Sequence, residues 1–109
     1  MHVAIQVDDP VLTEAFKSYI ERRLRFALGR FGGRVSQIAV RVGADGHNAR
    51  RCRITAEALP FGRVAVEESD TDLFAAIDRA TGRIGRLFGR ELERFRASRL
   101  NRDSIRTAA

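Results

Sequence analysis

Five arginines carry the clearest chemical signal in this sequence. Arg79, Arg83, Arg86, Arg90 and Arg94 step by four, three, four and four residues. On a helix turning about 100° per residue they fall within an arc of roughly 80°. Like charges at this spacing repel, each i,i+4 pair costing a few tenths of a kcal/mol, and an anionic partner relieves that cost. The guanidinium is a rigid fork of donors matched to phosphate oxygens, so the chemistry of such a stripe is polyanion binding, with RNA the leading candidate. The bland alternative is a solvated helix face, the usual meaning of a charged stripe whose signs are mixed. Here all five are positive.

The same stretch supplies the element that positions the stripe. Leu73, Ile77, Ala80, Ile84, Phe88, Leu92 and Phe95 recur at three- and four-residue steps. This spacing predicts one long helix from about Ser69 to Arg99, with its apolar side turned away from the arginines. Ser69 or Asp70 is expected to cap its start, and Asp70 and Asp72 lie where the helix dipole favours carboxylates. Gly82, Gly85 and Gly89 form a third side, each costing up to about 1 kcal/mol relative to Ala. Either a neighbouring helix packs closely there, or an RNA backbone or a second protein docks. Two further readings stay open beside a dedicated RNA target: a general RNA-binding module, and a protein-interaction module forming a weak homo-oligomer through the glycine side.

Charge is concentrated around this helix. The chain holds 20 Lys and Arg against 14 Asp and Glu, a net charge of +6, and Lys17 is its sole lysine. From Asp78 onward nine Arg face four acids, giving +5 of that +6, as expected of a nucleic-acid footprint. A length of 109 residues makes one domain with a modest core. One cysteine excludes an internal disulfide, and a reducing cytoplasm is the expected compartment. No apolar run is long enough for a membrane crossing, and Met1 to Val7 lacks the layout of a signal peptide.

The remaining elements follow in order. His2 to Val7 alternates with Val3, Ile5 and Val7 on one face, predicting a half-buried strand. Asp8, Asp9 and Pro10 end it. Val11 or Leu12 through Arg30 has Leu12, Phe16, Tyr19, Ile20, Leu24, Ala27 and Leu28 on one side, predicting an amphipathic helix closed by Gly29, Gly32 and Gly33. Lys17, Arg22 and Arg25 lie on its outward side among Glu14 and Glu21, while Arg23 projects near the apolar side, where its stem can cover the core edge. Strands are predicted at Val35 to Val42, Arg51 to Leu59 and Arg63 to Glu67, separated by a loop containing Asp45-Gly46 and by a Pro60-Phe61-Gly62 turn. The resulting fold class is α+β: a single two-layer sandwich of β-α-β-β-β-α order, with two helices packed on one face of a four-stranded sheet. Residues 1–98 form this domain, and 99–109, with Arg99, Arg102 and Arg106, are expected to be a short basic, flexible tail.

No enzymatic constellation is visible. His2 and His47 lack partners at catalytic spacing, Cys52 sits at an inward strand position, and Glu67, Glu68, Asp70 and Asp72 are expected to compensate the helix dipole. No metal, cofactor or small-molecule substrate is expected, and the sequence argues for binding without catalysis.

Over about residues 3 to 96 the chain resembles the ribosome hibernation-promoting factor family, which includes the ribosome-associated inhibitor A proteins. The most specific match runs from Val64 to Asp78, Val-Ala-Val-Glu-Glu-Ser-Asp-Thr-Asp-Leu-Phe-Ala-Ala-Ile-Asp. Leu12 to Lys17, Arg23-Leu24 and Pro60-Phe61-Gly62 add to it. The resemblance implies a short-form family member, cytoplasmic, that binds 16S rRNA in the cleft of the small ribosomal subunit. There it would block tRNA and messenger RNA, silencing ribosomes in stationary phase or stress. It implies Lys17, Arg23, Arg83, Arg86 and Arg90 as rRNA-binding cations, to which Arg79 and Arg94 are added because they share the stripe. Arg22 and Arg25 complete the candidates. The glycines at 82, 85 and 89 depart from the polar residues common in the family.

Overall fold

A computed structural model describes residues 1–8, 14–59 and 61–108, with side chains described through residue 100. The expected helix start at Asp9-Pro10, the apolar role of Leu12, Pro60 of the turn and the side chains of Arg102 and Arg106 lie outside those described residues.

The elements are β1 (His2–Val7), α1 (Glu14–Leu28), a short 3-10 segment (Gly29–Arg34), β2 (Val35–Asp45), β3 (Ala49–Ala58), β4 (Gly62–Asp70) and α2 (Leu73–Ala108). The sheet order is β1-β2-β3-β4. β1 and β2 are parallel, joined across α1, while β2, β3 and β4 form an antiparallel meander. This topology follows from chain length: a parallel pair needs a crossover of a dozen or more residues, whereas antiparallel neighbours need only tight turns. Gly46 and Gly62 provide those turns with φ of 76° and 109°, a backbone region that L side chains rarely occupy.

Alternation puts one sheet face into the core. Ile38, Val40 and Val42 of β2, Cys52, Ile54, Ala56 and Ala58 of β3, and Val64 and Val66 of β4 are buried beneath Ile20, Leu24 and Leu28 of α1 and Ile77, Ala80, Ile84 and Phe88 of α2. Val35 joins them although it lies three residues from Ile38, because the register slips between Val35 and Gln37. The intervening Ser36 Oγ donates to the Glu57 carbonyl at 3.1 Å, an irregularity of the bulge kind that keeps both Val35 and Ile38 inward. The opposite face, with Ala39, Arg41 and Arg53, stays exposed.

Several boundaries differ from the sequence reading. β2 and β3 extend to Asp45 and from Ala49, so the hairpin turn is shorter than expected. β4 runs on to Asp70, its last residues pairing with Arg50 and Arg51. Consequently the cap of α2 is Asp72, whose Oδ1 accepts from the Phe74 N–H at 3.0 Å, the geometry of an N-cap side chain. Asp70 makes the preceding turn by accepting from the Asp72 N–H at 2.8 Å. At the other end α2 continues to Ala108, beyond the point where its apolar period fades.

Candidate nucleic-acid interface

The α2 stripe forms as its spacing predicts: Arg79, Arg83, Arg86, Arg90 and Arg94 are all exposed on the side away from the buried Ile77, Ile84 and Phe88. Their partners divide them. Arg79 Nη2 donates to Asp70 Oδ2 at 2.8 Å and to the Ser69 carbonyl at 2.9 Å, and its Nε lies 3.7 Å from Glu68. Arg83 Nη1 donates to Glu68 Oε1 at 2.9 Å and to the Glu67 carbonyl at 3.3 Å. The acidic junction is thus a counterion cluster for the first two arginines as well as a helix start. Asp70 is held below the usual carboxylate range, chiefly by the backbone N–H of Asp72 and then by Arg79. Arg94 pairs with Glu91 one turn earlier at 3.3 Å. Arg86 and Arg90 have no carboxylate within 4.0 Å among the described residues, and they are the two fully available cations of the stripe.

The candidates on α1 separate similarly. Arg23 faces α2, where its Nε lies 3.3 Å from Asp78 Oδ1 without hydrogen-bond alignment. Asp78 also accepts from the Tyr19 hydroxyl at 2.5 Å, and this bond, with partial burial, raises the Tyr19 pKa. Tyr19, Arg23 and Asp78 therefore tie α1 to α2. The Arg22 guanidinium lies 6.0 Å from the centre of the Tyr19 ring, and Arg25 is exposed. Lys17 pairs with Glu14 at 3.4 Å and lines a recess with Val3 and Ile5 of β1. It lies on the side of α1 away from α2, so the structure does not bring it together with the stripe.

Additional cations gather at the groove between the helices. Arg30 stands 4.7 Å over the Phe31 ring. With Arg34 and Arg96 it lines a cleft beside Gly89, Leu92 and the acidic Glu93. None of the three has a carboxylate within 4.0 Å among the described residues. Local sequence spacing could not group residues 30, 34 and 96, because only the packing of α1 against α2 makes them neighbours.

That packing explains two of the helix glycines. A Cβ on Gly85 would stand 3.0 Å from the Ala27 carbonyl oxygen and 3.3 Å from its Cβ, and one on Gly89 would stand 3.3 Å from the Phe31 ring. Both glycines admit the neighbouring element, so they face this chain's own α1 and Phe31. Gly82 differs: a Cβ there would meet only the Arg86 guanidinium, at 3.3 Å.

Nothing in this arrangement is nucleophilic. Cys52 is buried in the core and its thiol is pushed up to about 12 by burial, the reverse of an activated thiolate. No group of three or more metal-binding side chains occurs among the described residues. No described helix is long and apolar enough to cross a membrane.

Known proteins resemble the chain in both sequence and fold. The family model described as sigma 54 modulation protein / S30EA ribosomal protein matches residues 3–96. The solved N-terminal domain of Protein Y from Thermus thermophilus is similar at 31% identity and a TM-score of 0.71, over 83% of this chain and 98% of that one. A ribosomal subunit interface protein from Coxiella burnetii shares the fold at 13% identity and a TM-score of 0.69, over 89% of this chain and 99% of that one. No curated protein sequence matches.

Proposed function

From the premise that this chain belongs to the sigma 54 modulation protein / S30EA ribosomal protein family, we propose that it is a ribosome-associated hibernation factor. It binds 16S rRNA in the cleft of the small subunit and blocks access of tRNA and messenger RNA. In this reading it works in the cytoplasm, as a binding protein and not an enzyme. The ribosomal protein named in the family's description supports a place on the ribosome.

The observation that carries the RNA contact is the pair Arg86 and Arg90, exposed on one helix with no carboxylate of the described residues in reach. A guanidinium already held by a carboxylate must exchange one anion for another on binding, which gains little in water, whereas an unpaired one gains a charge-assisted contact and releases counterions from the RNA. The rigid helix holds the two cations one turn apart, a spacing that suits phosphates along a backbone. The sheet beneath fixes that helix through Ile77, Ile84 and Phe88. The domain would act as a preformed wedge, with little ordering cost at its centre.

Co-sedimentation of the intact chain with small ribosomal subunits, across a salt series and with excess duplex RNA as competitor, tests this reading. Saturable binding that weakens with salt and survives the competitor is expected. Binding removed by the competitor would replace ribosome specificity by general RNA binding, and absence of binding at low salt would overturn the proposal.

A further inference from the structure

Six of the seven phenylalanine rings lie against another aromatic ring: Phe16 with Phe74, Phe31 and Phe61 with Phe88, and Phe61 with Phe95. Phe26 is the exception. It is 83% exposed, and what stands near its ring is the Arg23 guanidinium, 6.0 Å from the centroid. Its place in the fold is equally particular, on the wall of a cleft of about 380 Å³ between α1 and α2, with Arg23, Arg30, Gly82 and Arg86 around it. At Gly82 the missing side chain leaves a space overlain only by the flexible Arg86 guanidinium, 3.3 Å from where a Cβ would stand, and the packing of the helices does not require that space.

An exposed aromatic face bounded by arginines has a specific chemical complement. Burying the ring against an apolar protein surface would bring Arg30 and Arg86 with it, leaving two charges to be desolvated without a partner. A nucleotide meets both demands, since its base has an apolar face that stacks on the ring and its phosphate answers the guanidinium groups. A base within an A-form duplex has both faces covered by its neighbours, so the fitting nucleotide is unpaired.

We propose that this cleft is a stacking site for one unpaired RNA nucleotide, its base on Phe26 and its phosphate between Arg30 and Arg86. The inference rests on the RNA-binding reading above and adds to it a contact that distinguishes single-stranded from duplex RNA. Arg23, beside Asp78, lines the same cleft 6.0 Å from the ring centroid and offers a further cation at its edge. Gly82 leaves room for the base edge, and Arg86 moves from its place over Gly82 to meet the phosphate. Every base has a stackable face, so the site selects strandedness more than sequence.

The chain contains no tryptophan, so Phe26→Trp gives a single-tryptophan reporter at the stacking position. Titrating this full-length variant with the single-stranded octamer (rA)8 should quench its fluorescence saturably, while an octamer duplex and inorganic polyphosphate should not. Phe26→Ala should weaken binding of both (rA)8 and small subunits about tenfold with unchanged thermal melting, since the ring is outside the core. Lack of quenching, equal quenching by duplex or polyphosphate, or Phe26→Ala affinities within twofold of the parent would overturn the site. Weakened subunit binding with unchanged (rA)8 binding would also overturn it, by making the ring a contact for ribosomal protein. If (rA)8 binding depends on Phe26 but subunits never co-sediment, the stacking site stands and the ribosomal reading falls.

Discussion

At the start of α2, Arg79 and Arg83 reach back across the strand-helix junction to Asp70 and Glu68, at 2.8 and 2.9 Å. One and two turns further along the same stripe, Arg86 and Arg90 meet no carboxylate of the described residues. The spacing is the same, and the difference comes from what the neighbouring strand supplies. β4 ends beside the first turns of α2 and brings its acids with it, while the later turns rise beside Ala27 of α1 and Arg30 and Phe31 of the 3-10 segment that follows it. A stripe that counts as five cations on a helical wheel is therefore two arginines clamped to acids of β4, two with no carboxylate of the described residues in reach, and a local pair at Arg94. The clamps hold the helix to the sheet, and the free groups face outward for a partner.

The largest effects should come from reversing charge in each half. Arg86→Glu with Arg90→Glu is expected to lower small-subunit affinity about 100-fold or more while shifting the melting temperature by less than about 2 °C, as two phosphate contacts become repulsions. Arg79→Glu with Arg83→Glu should lower the melting temperature by about 5 °C, because Glu68 and Asp70 would then face like charges. Its affinity loss should be smaller. Co-sedimentation and calorimetry of both double variants decide the matter, and equal affinity losses with equal melting temperatures would erase the division.

The glycines sharpen the same contrast at a smaller scale. Gly85→Val pushes a branched side chain against the Ala27 carbonyl and should cost about 1–3 kcal/mol by overpacking. Gly82→Ala meets only the end of a flexible arginine and should gain up to about 1 kcal/mol from helix propensity. Opposite signs in denaturant unfolding would mark the one as a packing glycine and the other as a cleft glycine.

Much of the frame was legible in the residues. Alternation located β1 at His2–Val7, and the three-and-four spacing of Ile77, Ala80, Ile84 and Phe88 gave the buried side of α2. What local pattern could not give were relations between distant residues. β4 reaches Asp70 only because Arg50 and Arg51 of β3 pair with its end, so Ser69 and Asp70 read locally as a helix cap although Asp72 performs that role. The clamps join residues 9 and 15 positions apart, and the Tyr19–Asp78 bond spans 59. Glu68 and Asp70 looked like dipole compensation because their partners' side chains arrive from the other side of a turn. The cations of the stripe were readable from spacing, but their availability depends on partners that only the packed sheet and helices define.

The smallest expected effect tests whether the clamped half is a reserve of binding charge. Asp70→Asn keeps an oxygen to accept from the Asp72 N–H and removes the nearer of the two charges beside Arg79, leaving Glu68 at 3.7 Å. Folding depresses the Asp70 carboxyl below its ordinary value of 3.8, so the stability it contributes is present above that value and is lost as pH falls through the folded pKa. The variant should therefore melt slightly below the parent at pH 7, and the gap should narrow as pH falls below 3.8 and close once pH has passed below the depressed folded pKa, where the parent also loses its charge. Removing one negative charge and releasing one guanidinium should at the same time raise affinity for small subunits a few-fold, with a steeper dependence on salt as a further phosphate is engaged. A variant that melts lower but binds no better would make Arg79 a clamp alone, and the RNA-facing surface would then begin at Arg86.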